Sequence, residues 1–543
     1  MPFFYEFRKR NARAILLASI AVLVVLAWWN RFIQDDAFIS FRYADNLSRG
    51  FGLVWNPGEW VEGYTNFLWT ILMGAVHLLH GDPVFWSTAI GLAAFAGSLF
   101  LTYRIALQVF QSDDVSLLAV ILLGTNYTFS AYATGGLETS LQALLYLAVI
   151  YSVIRPLRLK RCRSADALRI SFLLSLCMLL RLDSAMLCCA VFGFAGVTIA
   201  RQPSPARSKA TCLAALLAPF AITMSIWFAW KFSYYGDILP NTFYVKVTSG
   251  HDVTRGFVYL DRFFSSYFLY PIALISVFSL TSFFRKIRAE LLLIVLVAFA
   301  WIAYVVKVGG DFMEFRFLVP VIPLFVILFL WVLLSFARTI TIRAGMVLLV
   351  LIGSAHHVLT FSYDASDGIE SVRQLHAHVA ARDEQWENIG KVLGQAFNHD
   401  PRVSLATTAA GVIPYYSRLT SIDMLGLNDR YIARYGHYFG RAAGHERIAT
   451  LAYLQERKVN LIVSHPYVAL RSEPMIKVPL IPGVENNNLP TSKAVEIPLD
   501  SLYKVVILYL EPSPVVDSVI AREQWKVYQI MKDESPRKIK TPP

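Results

Sequence analysis

Apolar runs long enough to cross a bilayer recur from Arg13 to about Thr360 and then stop. This recurrence limits the fold more than any motif does. A backbone in hydrocarbon must satisfy its own hydrogen bonds, and runs of this length do so as helices. With 56% hydrophobic residues and a mean hydropathy of +0.49, the chain reads as a polytopic membrane protein. Sequence beyond Thr360 is mixed in polarity. The division predicts a transmembrane module over 1–360, a soluble α/β domain over 361–535 and a disordered tail over 536–543, within the polar, Pro- and Lys-rich DESPRKIKTPP.

The formal charge of +12 does not form a stripe suited to nucleic acid. Basic residues cluster in short loops between spans, as in RPLRLKRCRSADALR (Arg155 to Arg169), RKIR from Arg285 and FRKRNAR from Phe7. That is the pattern of cytoplasmic loops. Cys162, Cys177, Cys188, Cys189 and Cys212 lie in or beside spans with no CxxC pair, which argues against structural disulfides and zinc. The first apolar run ends in WWNRF without a small-residue cleavage site and reads as an uncleaved span.

Placing the N-terminus inside, residues 14–30 cross outward and leave QDDAFISFRYADNL outside. The next apolar segment, 66–80, reaches roughly 22 Å as a helix, short of a hydrocarbon core of about 30 Å. Counted as a span, it would put the basic 155–169 loop outside. It is therefore expected to lie at the outer surface, within a first external loop over 31–83. Ten further spans follow, at 84–110, 115–131, 137–154, 168–180, 184–200, 213–232, 267–284, 291–306, 317–336 and 344–359, eleven in all. QSDD near Asp113 is the inside loop without a basic excess. The C-terminal domain ends outside, with helical periodicity over 371–397 and strands in RVSLATTAAGVIPYYS, KVNLIVSHP and YKVVILYL.

On this threading the polar stretches of note share one side. They are the 35–60 loop, TGGLETS around Glu138, RLDS at Asp183, YYGDILPNTFYVK from Tyr234 and GGDFMEFRF from Gly309. DDAFISFRYADNLSRG reads as a short helix capped by Asp35 and ended by Gly50 and Gly52. Capping and N-terminal charge explain one aspartate. A pair beside four other polar motifs points to chemistry. A buried carboxylate beside a like charge has a raised proton affinity and suits a general base; Asp36 is the first choice, with Asp35 assisting or capping. Lys246, Lys307 and Arg316 are placed to hold an anion, or to snorkel at the interface. Asp311 either orients one of them or simply pairs with Arg316. Arg42, Glu62, Glu138, Tyr235 and Asn241 complete the candidate substrate contacts. His445 and Glu446, in GHER, are candidates for an acceptor from the soluble domain. Acids at span ends rather than mid-span argue against an ion pump.

DDAFISFRYADNL followed by GFGLVWNPGEWVEGYTNFLW resembles the first external loop of GT-C glycosyltransferases, in particular the AftB-type arabinofuranosyltransferases of mycobacteria. TGGLETSL, YYGDILPNTFYVK and GGDFMEFRFLVP are similar to further motifs of that group, in the same order. DMLGLNDRYIAR and GHER look like its soluble-domain signatures. Pilin arabinosyltransferases of Gram-negative bacteria look like relatives of the fold. The resemblance implies a GT-C module with juxtamembrane helices in the first external loop and a C-terminal soluble α/β domain. It implies a polyprenyl-phosphate sugar donor, a glycan, lipid or protein hydroxyl as acceptor, and transfer on the outer face of the bacterial cytoplasmic membrane. It maps a catalytic acid onto Asp35 or Asp36, and favours arabinofuranose over mannose or aminoarabinose. Lys246 and Arg316 would then hold the donor phosphate. RLDSA departs from the proline-containing RPD of the group, which leaves the role of Asp183 open. No cofactor is required, though a divalent cation at the Asp35/Asp36 pair is open. The rivals are a flippase for lipid-linked sugars and a non-catalytic factor that binds them.

Overall fold

The computed structural model describes residues 2–158, 163–247, 253–276, 288–438, 440, 446–473 and 493–529. The expected tail at 536–543 and the stretch 277–287 lie outside the described residues. Among the described residues seven helices are long and apolar enough to cross a membrane. These lie in α1 (Pro2–Trp29), α4 (Pro83–Phe110), α7 (Thr139–Arg158), α9 (Ala185–Ala200), α10 (Ala206–Tyr235) and the helices Ala289–Lys307 and Ile340–Thr360. Three more expected spans are shorter helices: α5 (Asp113–Gly124), α8 (Ser164–Leu180) and Ile322–Phe336. The eleventh, at 267–284, runs into the undescribed stretch.

One expected span is broken. The run 115–131 does not continue as one helix: α5 ends at Gly124, and a five-residue helix, α6 (Tyr127–Ala131), restarts after it. Asn126 forces the restart by accepting the Phe129 N–H with its side chain at 2.9 Å. Ser354, from a distant helix, takes up the freed backbone groups: its hydroxyl donates to Thr125 O at 2.8 Å and accepts from Tyr127 N at 3.0 Å.

The first long loop carries two helices, α2 (Asp35–Ser48) and α3 (Phe67–Leu78). At twelve residues α3 is about 18 Å long, too short to span. It packs on α2, with Trp69 and Met73 fully buried. Gly50 and Gly52 do end α2, turning the chain at φ of 84° and 90°. The expected cap is corrected. Gln34 occupies the N-cap position, and Asp35 is the first helical residue. Its carboxylate is committed elsewhere, as described below.

Among the described residues the C-terminal part is a mixed seven-stranded sheet with helices. Its strands are β1 (Ser404–Thr407), β2 (Thr420–Asp423), β5 (Leu461–Ser464), β6 (Val468–Leu470), β7 (Lys493–Pro498), β8 (Tyr503–Tyr509) and β9 (Lys526–Gln529), and a two-stranded ribbon pairs β3 (His437–Tyr438) with β4 (Arg447–Ile448). The order is β2-β1-β5-β8-β7-β9, parallel between β1 and its neighbours β2 and β5, antiparallel elsewhere, with β6 also on β8. β8 alternates little because it is buried along nearly its whole length. One continuous hydrophobic cluster runs from Leu16 through Phe38, Trp301 and Val372 to Val505. The membrane module and the sheet therefore share a core.

The first loop is stitched to this sheet end. Asn56 donates to Ser421 O at 2.7 Å and accepts from Ser421 N at 3.1 Å. Glu59 pairs with Arg457. A Cβ on Gly63 would lie 1.9 Å from Asn428 Oδ1, so only glycine allows that approach.

Candidate active site

A cavity of about 380 Å³ opens between α2, the ends of several spans and the sheet end. Its polar lining includes Asp36, Glu138, Arg181, Asp183, Arg316 and Glu446, and its aromatic lining includes Tyr64, Phe243, Tyr304 and Phe317. Asp36, Glu138, Arg181, Asp183 and Arg316, distant in sequence, meet here because each lies at or beside a helix end, whereas Glu446 comes from the sheet end, just before β4.

Arg181 leaves α8 in an extended conformation, φ −154°, and its guanidinium is held on two sides. Nε and Nη2 donate to Asp183 Oδ2 at 2.8 and 2.5 Å, and Nη1 donates to Glu138 Oε1 at 2.5 Å. Glu138 Oε2 accepts from Asn66 at 2.7 Å, and Asp183 Oδ1 accepts from Gln142 at 3.0 Å. Such a fork is rigid: each carboxylate is itself fixed by a second donor.

Arg316 lies opposite. Its Nε is 2.6 Å from Asp311 Oδ2, so the expected ion pair is present. Asp36 also acts on Arg316 electrostatically. The ring of Phe317 carries both guanidinium groups, that of Arg316 at 5.3 Å and that of Arg181 at 5.8 Å from its centroid. The loop behind them needs its two glycines, since Gly309 and Gly310 have φ of 81° and 75°. Phe315, buried, is held at φ 46°. Glu314 fastens this loop: one oxygen meets His357 Nε2 at 2.8 Å and the other accepts Val372 N at 2.8 Å.

Of the residues expected from sequence, Asp36, Glu138 and Arg316 meet in the cavity, joined by Asp183 and Glu446. Asp311 stands behind Arg316. Others do not line the cavity and are used to hold the loop. Arg42, buried, donates through Nε to Trp55 O at 2.7 Å and through Nη2 to Asn56 and Leu419 O at 2.9 and 2.8 Å, and Nη1 donates to Pro414 O. Burial pushes its guanidinium down to about 9. Glu62 meets Lys231 of α10 at 2.9 Å, and burial lifts its carboxyl to about 7 against the pull of that lysine. Tyr235 bonds Leu53 O and the Tyr64 hydroxyl at 2.8 and 3.0 Å. Asn241 donates to Gly426 O at 2.8 Å. Lys307 is exposed on the last turn of its helix. Lys246 falls in the helix Asn241–Val247 with its side chain outside the described residues, and His445 is outside them altogether.

Asp35 points away from the cavity. Its two oxygens accept Gly411 N at 3.0 Å and Val412 N at 2.7 Å. Burial pushes its carboxyl up to about 7, with these donors pulling the other way. Among the described residues no group of three His, Cys, Asp or Glu side chains is arranged to hold a metal ion. Both Asp35 oxygens face N–H donors, so Asp35 is not placed to share a cation with Asp36, and no step below uses one.

Sequence reasoning missed Arg181. Its signal was present in RLDS, where a cation at the end of an apolar helix precedes an aspartate by two residues. Lys231, a lysine inside an apolar helix, was also legible as a buried partner in search of a carboxylate.

Apolar helices in a bundle, a short helix laid beside the first loop and an acid-and-arginine cavity under a sheet domain define a class, the GT-C fold of membrane glycosyltransferases. ArnT from Cupriavidus metallidurans, bound to undecaprenyl phosphate, matches with a TM-score of 0.54 and 11% identity over 92% of this chain and 98% of that one. The archaeal oligosaccharyltransferase AglB from Archaeoglobus fulgidus, in complex with an inhibitory peptide and a dolichol-phosphate, matches with a TM-score of 0.52 and 12% identity over 84% and 70%. The chain is thus a multi-pass membrane protein with the GT-C fold. In sequence it is similar to two proteins named terminal beta-(1->2)-arabinofuranosyltransferase. The Mycobacterium tuberculosis protein is 25% identical over 282 residues, 49% of this chain and 43% of that one. The Corynebacterium glutamicum protein is 28% identical over 341 residues, 55% and 48% respectively. The chain matches less than half the length of either relative. Residues 373–528 match a domain of unknown function, DUF8728.

Proposed function

We propose that the protein is a polyprenyl-phosphate-dependent glycosyltransferase that transfers arabinofuranose to a hydroxyl of a cell-envelope glycan, lipid or protein, on the outer face of the bacterial cytoplasmic membrane. The observation that carries this reading is the placement of Asp36 and two arginines, Arg181 and Arg316, on one cavity. A carboxylate facing fixed cations suits displacement at a sugar carbon bearing a phosphate.

In the proposed step Asp36 takes the proton of the acceptor hydroxyl as its oxygen attacks the anomeric carbon. The bond from that carbon to the phosphate oxygen breaks, and prenyl phosphate leaves as an anion. Arg181 and Arg316 hold that charge before and after, preorganised by Glu138, Asp183 and Asp311 so that little reorganisation is needed. The leaving group is already a stable anion and needs no acid. Lys246 would join them as a third cation. Glu446, and His445 beside it, would meet the acceptor. The preference for arabinofuranose comes from the relatives' names; no lining residue selects a pentose over mannose or aminoarabinose. A flippase would need polar residues along a path through the spans, whereas the acids and arginines described here gather at one cavity.

The test is release of prenyl phosphate by the purified protein from synthetic prenyl-phosphoryl arabinofuranose with a panel of acceptors, the Asp36→Asn variant run beside it. Turnover by the wild type alone, unchanged by EDTA, is the expected result. Turnover of a different prenyl-phosphate sugar would remove arabinofuranose and keep the mechanism. Lipid movement across vesicles without turnover would remove the enzyme.

A further inference from the structure

Asp35 and Asp36 are neighbours in sequence and face different parts of the molecule. Successive residues on a helix point about 100° apart, and on α2 the two directions belong to two surfaces. Asp36, Ile39 and Ser40 line the cavity. Asp35, Phe38, Phe41, Arg42 and Asp45 lie against the segment 411–419 of the C-terminal part.

The contact covers that segment from end to end. Asp35 accepts the N–H groups of Gly411 and Val412, which open the short helix Val412–Ser417 and have no partner within it. Seven residues on, Arg42 donates to Pro414 O and Leu419 O at its far end. Between them Phe38 packs on Tyr415 and Tyr416 at 5.5 and 5.7 Å, and Phe41 on Tyr415 at 6.3 Å. Asp45 meets Arg418 at 3.2 Å. The approach is too close for a side chain at Gly411, where a Cβ would stand 1.9 Å from Asp35 O. That glycine has an ordinary negative φ of −98°, so proximity, not backbone conformation, demands it.

We infer that Asp35 and Arg42 are positioning residues: they dock α2 on segment 411–419 and thereby fix the rotation of the helix that aims Asp36 into the cavity. The C-terminal part is then a component of the active site, contributing the bearing on which the catalytic helix is set. Arg181 and Arg316 stand on other elements and are joined to α2 less directly, through Ser40, whose hydroxyl donates to the Asn66 that holds Glu138, so release of the dock falls first on Asp36 and less on the phosphate end of the cavity. The kinetic consequence rests on the transferase reading above; the docking itself does not.

The experiment compares the wild-type chain with Gly411→Ala and Asp35→Asn, the second adding no bulk in case the first folds poorly. Three quantities are measured: kcat and KM for prenyl-phosphoryl arabinofuranose, the number of prenyl-phosphate sites per protein, and amide hydrogen exchange. The expected result is a kcat reduced at least about tenfold, KM within about threefold and full site occupancy, with faster exchange in α2 and unchanged exchange in α10. Wild-type kcat in both variants overturns the inference. So does a fall in binding sites parallel to kcat, which is a folding defect, or unaltered exchange in α2. If the wild type turns over no donor while α2 loosens in both variants, the docking is upheld and the transferase reading fails.

Discussion

Lys231, fully buried in α10, meets the carboxyl of Glu62 at 2.9 Å, so a membrane helix and the first long loop are joined through a desolvated acid–base pair. Each justifies the other. Removing one strands its partner in a low-dielectric setting, at a cost of roughly 3–5 kcal/mol. Glu62→Ala and Lys231→Ala are therefore each expected to lower the thermal midpoint in detergent sharply. The double variant Glu62→Gln with Lys231→Met should recover much of the loss. Additive losses in the double variant would contradict the pairing.

Asp36→Asn keeps the size of the side chain and removes its basicity. Turnover is expected to fall by about 10²–10⁴-fold, the range of a general base, with prenyl-phosphate binding retained. Single-turnover measurement on saturated enzyme checks this, because it isolates the chemical step.

Arg181 is expected to act on the donor. Arg181→Lys preserves charge and loses the fork that Glu138 and Asp183 hold. The donor KM should rise by about 10–100-fold, the worth of hydrogen bonds to a charged group. Glu138→Gln should do the same more weakly, since it frees one side of the guanidinium. An unchanged donor KM in Arg181→Lys would detach Arg181 from phosphate binding.

His378 gives the C-terminal part a pH dependence. Burial alone would push its imidazole down, but Glu370 and Glu384, at 3.5 and 3.6 Å from its two ring nitrogens, lift it to about 10. The folded value lies above the ordinary 6.5. The stabilisation is therefore complete below that value and is lost as pH climbs through about 10. Thermal unfolding followed from pH 6 to 10.5 should show this decline in the wild type and a flatter profile in His378→Gln.

The parts of this molecule legible in sequence were those set by local pattern or by hydrocarbon thickness. The parity of the basic loops took 66–80 out of the span count, and that segment folds as a twelve-residue helix, α3, packed on α2. GGDFMEFRF announced an Asp311–Arg316 pair because both partners lie within one loop. Residues whose partners are remote were misread. Asp35 looked like a cap because its true donors, Gly411 and Val412, come from another part of the fold. Arg42, Tyr235 and Asn241 looked like substrate contacts for the same reason: a polar residue in an external loop carries no mark of whether carbonyls or a sugar will satisfy it. The break after Gly124 had a local mark in Asn126, which caps the next helix, but the remote Ser354, which satisfies the freed backbone groups, lies outside any window around residue 124. Arg181 is a different case, because one of its partners, Asp183, is local and the other, Glu138, is remote.

The bearing for α2 also imposes an order on biosynthesis. Gly411 follows Asp35 by 376 positions. A ribosome has released the spanning helices into lipid well before it makes the residue on which the catalytic helix must settle. On the docking described, a chain arrested ahead of that glycine inserts and stays inert, whatever lipid-linked sugar surrounds it. On the proposed activity, competence arrives only after Gly411 has been made, so products arrested before it would not consume donor.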